Sequence, residues 1–155
     1  MPVVTPSTYV PILYTKRGER SALSDLAPTV DSAFIPLFVI NGVEWDYDKE
    51  EPKKTVDDHL DHTIEDLLKK WRGATCFVDA QEVGDELMAD GRHPLTWIVE
   101  TLRARGREAT PVTSTDRSAV YQAAVKSLVA SGTELCVRLA SKDWTEATVH
   151  SSDLF

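Results

Sequence analysis

Short apolar runs rich in β-branched residues alternate with amphipathic stretches along this chain. The runs occupy residues 9–14, 34–40, 75–79, 109–113 and 134–139. Three of them carry a proline (Pro11, Pro36 and Pro111) near their start, where a missing N–H disturbs a strand least. The clearest helix lies between the second and third runs. Val56, Leu60, Ile64, Leu67 and Trp71 recur at three- and four-residue spacing, and Thr55 is placed to cap them. Asp57 and Asp58 suit the positive end of that helix, Lys69, Lys70 and Arg72 suit its negative end, and Gly73 is expected to close it.

Three other helices follow from similar patterns. One should present Ala22, Leu23 and Leu26 on one side and stop at Pro28. The next opens on Pro94, buries Leu95, Ile98 and Leu102, and ends at Gly106. The last should start from Thr115 or Asp116, bury Val120, Ala124 and Leu128, and end at Gly132. Residues 43–52 read as a long, acidic, structureless excursion, and residues 141–155 leave room for one more helix or an arm.

Strand–helix alternation implies a parallel sheet covered by helices, so residues 1–155 read as a single α/β domain of parallel (β/α) repeats with about five strands. Two architectures fit. One is an open doubly wound sheet with helices on both faces. The other is a partial TIM-barrel-like arc, since a complete (β/α)8 barrel needs roughly 200 residues or more. Length alone favours the open sheet.

A resemblance pulls the other way. Tyr9-Val10-Pro11-Ile12-Leu13, then Lys16-Arg17-Gly18-Glu19 and Ala22-Leu23, resemble the opening of the beta protein family of phages and bacterial genomes. Pro36-Leu37-Phe38-Val39-Ile40, Phe77-Val78-Asp79 and Cys136-Val137-Arg138-Leu139 are similar to its later signatures, in the same order and spacing. The resemblance implies the N-terminal part of a barrel domain about twice this length, in a phage or mobile-element context. It implies a basic residue where Tyr14 stands and a glutamate where Val39 stands, so part of any family site would be missing here. It implies no particular reaction.

Composition narrows the partners. The chain has 155 residues, 42% hydrophobic and 27% charged, as in an ordinary soluble domain. A net charge of −8 and a pI near 4.9 argue against a broad nucleic-acid or membrane surface while leaving room for a local basic cleft. No apolar stretch approaches the ~20 residues of a membrane helix. Residues 1–8 carry neither a basic nor an apolar leader region, so a cytoplasmic setting is expected. Cys76 and Cys136 sit inside apolar runs and read as small hydrophobes that could approach each other on neighbouring strands.

In a parallel α/β fold the site lies beyond the carboxyl ends of the strands. The polar residues there are Lys16, Arg17 and Glu19, then Glu44 and Asp46, then Asp79, Gln81 and Glu82, then Ser114 to Arg117, and finally Arg138 and Lys142. Lys16, Arg17 and Arg138 suit a phosphate or carboxylate. Arg138 is embedded between Val137 and Leu139, and a buried arginine needs a partner, for which Asp79 is the natural candidate. Ligand binding is therefore expected at Lys16, Arg17, Asp79 and Arg138. His59 and His62, with Asp58 and Glu65, resemble a metal cluster, but the helical wheel turns them to solvent, away from the strand ends. No metal and no cofactor is expected. His93 and His150 each stand alone, Ser114 lacks a nucleophile elbow, and no Gly-rich phosphate loop is present. The expected function is a non-catalytic interaction module, partnered by another protein chain or a second copy. The alternative is an enzyme domain that binds phosphate or nucleotide at its strand ends.

Overall fold

Right-handed crossovers that always add the next strand on the same side place every helix on one face of a parallel sheet. The chain follows this course in a computed structural model that describes residues 4–26 and 34–140. Its elements are β1 (Ile12–Tyr14), α1 (Arg17–Ser24), β2 (Leu37–Val39), β3 (Trp45–Asp46), β4 (Glu51–Pro52), α2 (Val56–Lys70), β5 (Thr75–Asp79), α3 (Pro94–Ala104), β6 (Glu108–Thr113), α4 (Ala119–Ala130) and β7 (Cys136–Val137). A 3₁₀ turn at Gln81–Val83 follows β5. Strands β1, β2, β5, β6 and β7 form one parallel sheet in that order. Helix α1 packs on α2, α2 on α3, and α3 on α4, a single helical layer. The sheet is open, and no closed barrel forms among the described residues. Parallel repeats with about five strands are thus present, in the strand order of a barrel arc.

Register separates two faces. Leu13, Phe38 and Val78 stand side by side and join Ile40, Cys76 and Ala109 in the main core beneath the helices. Ile12, Leu37 and Phe77 share the opposite face, where Leu37, Val39, Phe77 and Val112 form a smaller buried cluster. The centre of this inner face is covered, and Ile12 stands exposed at its β1 margin, while the exposed Val137 on β7 falls on the opposite face because Cys136 turns to the inner cluster.

Helix α2 anchors the main core. Thr55 accepts a hydrogen bond from Asp58 N at 3.1 Å, and Val56, Leu60, Ile64, Leu67 and Trp71 are buried as the spacing predicts. Each fully buried aliphatic side chain contributes about 1.5–3 kcal/mol, an upper bound because unfolded chains are partly compact. The stop differs from expectation. The helix ends at Trp71, and Gly73 serves packing: a Cβ there would meet the Trp71 ring at 2.7 Å. Trp71 meets Phe38 edge-on at 5.2 Å, so that ring has little room to yield. Gly106 and Gly132, by contrast, take positive φ just past α3 and α4, as the sequence predicts.

Several elements depart from the sequence reading. Ala22 is exposed, and only Leu23 of α1 is fully buried. Helix α4 starts at Ala119, where Ser118 accepts from Tyr121 N at 3.0 Å, so Val120 turns outward and Tyr121, Ala124, Val125 and Leu128 face the core. Residues 43–52 are not structureless: β3 and β4 pair as a hairpin whose turn is held by Asp46, accepting from Asp48 N and Lys49 N at 3.1 and 3.2 Å. Pro111 lies inside β6 rather than at its start. Glu108 N bonds to Ala74 O beside β5, so alternation turns the missing N–H of Pro111 toward β7, which pairs only from Cys136 opposite Val112. Cys76 and Cys136 lie on opposite faces with β6 between them, too far apart in the fold to bond. Pro28 and residues 141–155, including Lys142 and His150, lie outside the described residues.

Gly73→Ala should lower stability in urea by about 1–3 kcal/mol through overpacking against Trp71. Gly18→Ala, in an exposed helical position with nothing within 4 Å of its Cβ, should raise it by roughly 0.5 kcal/mol.

Candidate functional site

Asp79 is the last residue of β5, and its register beside Val39 and Tyr14 directs its carboxylate into the inner face at the carboxyl edge of the sheet. It is wholly buried. A lone carboxylate there would cost several kcal/mol, so it requires cations and donors. Its Oδ2 accepts from Arg117 Nη2 at 2.8 Å and from Arg138 Nη1 at 3.2 Å, while Oδ1 accepts from Gln81 N at 3.1 Å. The expected Asp79–Arg138 pair is present. Arg117 is the deeper partner, with a side chain 3% exposed against 38% for Arg138. The sequence groups Arg117 with the polar residues after strand β6 but offers no pattern to single it out.

A second layer fixes this clamp. Arg117 also donates to Gln81 Oε1 at 2.5 Å and Asp116 Oδ1 at 2.9 Å, and lies over the Tyr121 ring at 5.6 Å. The Tyr121 hydroxyl donates to Val112 O at 2.8 Å and accepts from Ala80 N at 3.3 Å. Burial, reinforced by the charge of Asp79, pushes that hydroxyl above the usual tyrosine range. Burial and Asp79 likewise raise the Cys136 thiol, and burial pushes Cys76 up to about 12, so both thiols stay protonated near neutral pH. A shallow depression of about 200 Å³ lies over the clamp, bordered by Tyr14, Glu82, Ser114 and Arg138.

The four residues expected to share one ligand are divided between two places. Asp79 and Arg138 meet at this clamp, while Lys16 and Arg17 line a separate cleft of about 560 Å³ beyond β1 and β2. Glu82 borders both. Lys16 lies over the Tyr14 ring at 5.3 Å, and α1 begins at Arg17, carrying both cations away from Asp79. The expectation that His59 and His62 face away from the strand ends is also corrected. Helix α2 lies against the segment just past β2, so both histidines line the cleft, and His59 Nε2–H donates to Asn41 O at 2.7 Å. No group of three or more potential metal ligands gathers among the described residues.

His93 is not isolated either. It caps α3 through Nδ1, which accepts from Leu95 N at 3.1 Å, and its Nε2–H donates to Asp85 Oδ1 at 3.1 Å. A hydrogen bond from Ser118 holds the Asp85 carboxyl below its usual range against the opposing effect of burial, and His93 reinforces this. Asp85 therefore ties the segment after β5 to the starts of α3 and α4.

The chain is thus an open parallel (β/α) arc with a doubly clamped aspartate at the carboxyl end of β5. The chain belongs to the Beta protein family, whose family model matches residues 9–154. No curated protein and no solved structure matches it. Among the described residues, no helix is long and apolar enough to cross a membrane.

Arg117→Ala should destabilise the fold by about 3–5 kcal/mol, because it strands a buried carboxylate. Arg138→Ala should cost roughly 1 kcal/mol, since its guanidinium is part-exposed, and Arg138→Met less. Urea denaturation of the three variants checks this order, and equal losses would refute it. Asp85→Asn should weaken the fold at neutral pH. Because the folded carboxyl titrates below its unfolded value, the stabilisation is present above pH ~4 and lost as pH falls through the folded value. Melting curves should therefore show wild type and variant converging in acid.

Proposed function

We propose that this chain is a non-catalytic interaction module of a phage or phage-defence related assembly, and that it associates with a second copy through the two edges of its open sheet. The observation that carries this reading is the sheet itself: among the described residues, β1 and β7 each pair on one side only. Unpaired edges present rows of backbone donors and acceptors to other strands. Apolar side chains near both edges remain exposed, Tyr9 and Ile12 at one and Val137 and Leu139 at the other. Because all five strands run parallel, a twofold axis along the strand direction would lay β7 of each copy beside β1 of the other. Both edges would then be satisfied at once and the ring would close.

The phage setting is what the resemblance to that family implies. The non-catalytic reading is supported by how the polar groups at the strand ends are used. Both oxygens of Asp79 accept hydrogen bonds, both ring nitrogens of His93 are engaged, and the Ser118 hydroxyl caps α4.

Light scattering at low micromolar concentration should give a dimer for the wild-type chain. Ile12→Lys combined with Val137→Lys should give a folded monomer, since edge charges oppose strand pairing. A monomeric wild type, or a dimer unaffected by the two lysines, would overturn the proposal.

A further inference from the structure

We propose that the cleft beyond β1 and β2 is a binding site for a phosphate-bearing small molecule. It is a cleft separate from the depression over the Asp79 clamp, though Glu82 borders both, and the proposal rests on a local inversion of charge. The whole chain carries a net charge of −8, yet this cleft is lined by Lys16, Arg17, Arg20, Lys53 and Lys54, with only Glu44 and Glu82 as carboxylates. Two of those cations are already neutralised: Arg20 lies 3.1 Å from Asp66, and Lys53 lies 2.9 Å from Glu44. The hydrogen bond from Lys53, and then its charge, hold the Glu44 carboxyl below its ordinary value.

Lys16, Arg17 and Lys54 have no ion-pair partner among the described residues, and all three are exposed to the cleft. Set against Glu82, they leave an excess of about two positive charges, the complement of a phosphomonoester dianion. Arg17 offers a planar fork and the lysines offer mobile point charges, the combination suited to phosphate oxygens. His62 stands on the same wall and adds a ring N–H. The opposite side is fixed. Asn41 N donates to Thr15 Oγ1 at 3.0 Å, His59 pins Asn41 O, and the Asn41 amide reaches Glu82 at 3.5 Å. Such a floor, with a carboxylate at its rim, is suited to the hydroxyl groups of a sugar phosphate or nucleotide. At about 560 Å³ the cleft falls within the ordinary range of small-ligand sites.

The test is calorimetric titration of the whole chain with inorganic phosphate and, separately, with adenosine monophosphate. Saturable binding of either at millimolar concentration or below is expected. Arg17→Gln combined with Lys54→Gln should weaken it at least about tenfold without changing the melting temperature of the unliganded protein. Lys126→Gln, a remote exposed cation on α4, should leave binding unchanged. Absence of saturable binding for both probes, or binding that survives the double substitution, would overturn the site.

Discussion

The buried carboxylate of Asp79 is the constraint around which the carboxyl edge of this sheet is arranged. An ion in that position must be matched from more than one side, and the matching groups come from different parts of the chain. Arg117 reaches it from the connection between β6 and α4, and Arg138 from the end of β7. The ends of three neighbouring strands are thereby held together through one carboxylate oxygen, Oδ2. The start of α4 fits the same demand: a turn closed by Arg117 N on Ser114 O at 3.4 Å precedes the helix, Arg117 reaches Asp79 from it, and the helix begins after the cap at Ser118.

Charge is sorted rather than spread. The hairpin formed by β3 and β4 carries Glu44, Asp46, Asp48, Glu50 and Glu51, while the adjacent cleft gathers the lysines and arginines near the end of β1. Lys53 joins the two regions through its bond to Glu44. An acidic protein can therefore present a positive field over a small area, because exposed charges beyond about 10 Å are largely screened at ordinary ionic strength.

Where periodicity is strong and the caps are chemically distinct, the fold was legible in the residues alone. Helix α2 is the clearest case, with its apolar stripe, Thr55 and flanking charges all agreeing. Arg138 and Asp79 were legible for a related reason: a charge among aliphatic neighbours must be paired, and each occupies the end of a strand. Arg117 was not, because it sits among other polar residues and only the reach of its side chain distinguishes it. The hairpin after β2 was missed because its strands are two residues long and its turn depends on one side chain, Asp46. Lys16 and Arg17 were assigned to the Asp79 site because strand order alone does not say which way the first turn of α1 swings.

The sequential strand order has a consequence for how the chain comes into being. Each helix rests on the one made just before it, and each parallel strand after β1 pairs with its predecessor in the sheet. Contacts are therefore local along the chain, and the loops to be closed before each new pairing stay short. A nascent chain leaving the ribosome can dock every new unit on a template that already exists, without waiting for later segments. Biosynthesis and architecture here run in the same direction, from β1 toward β7.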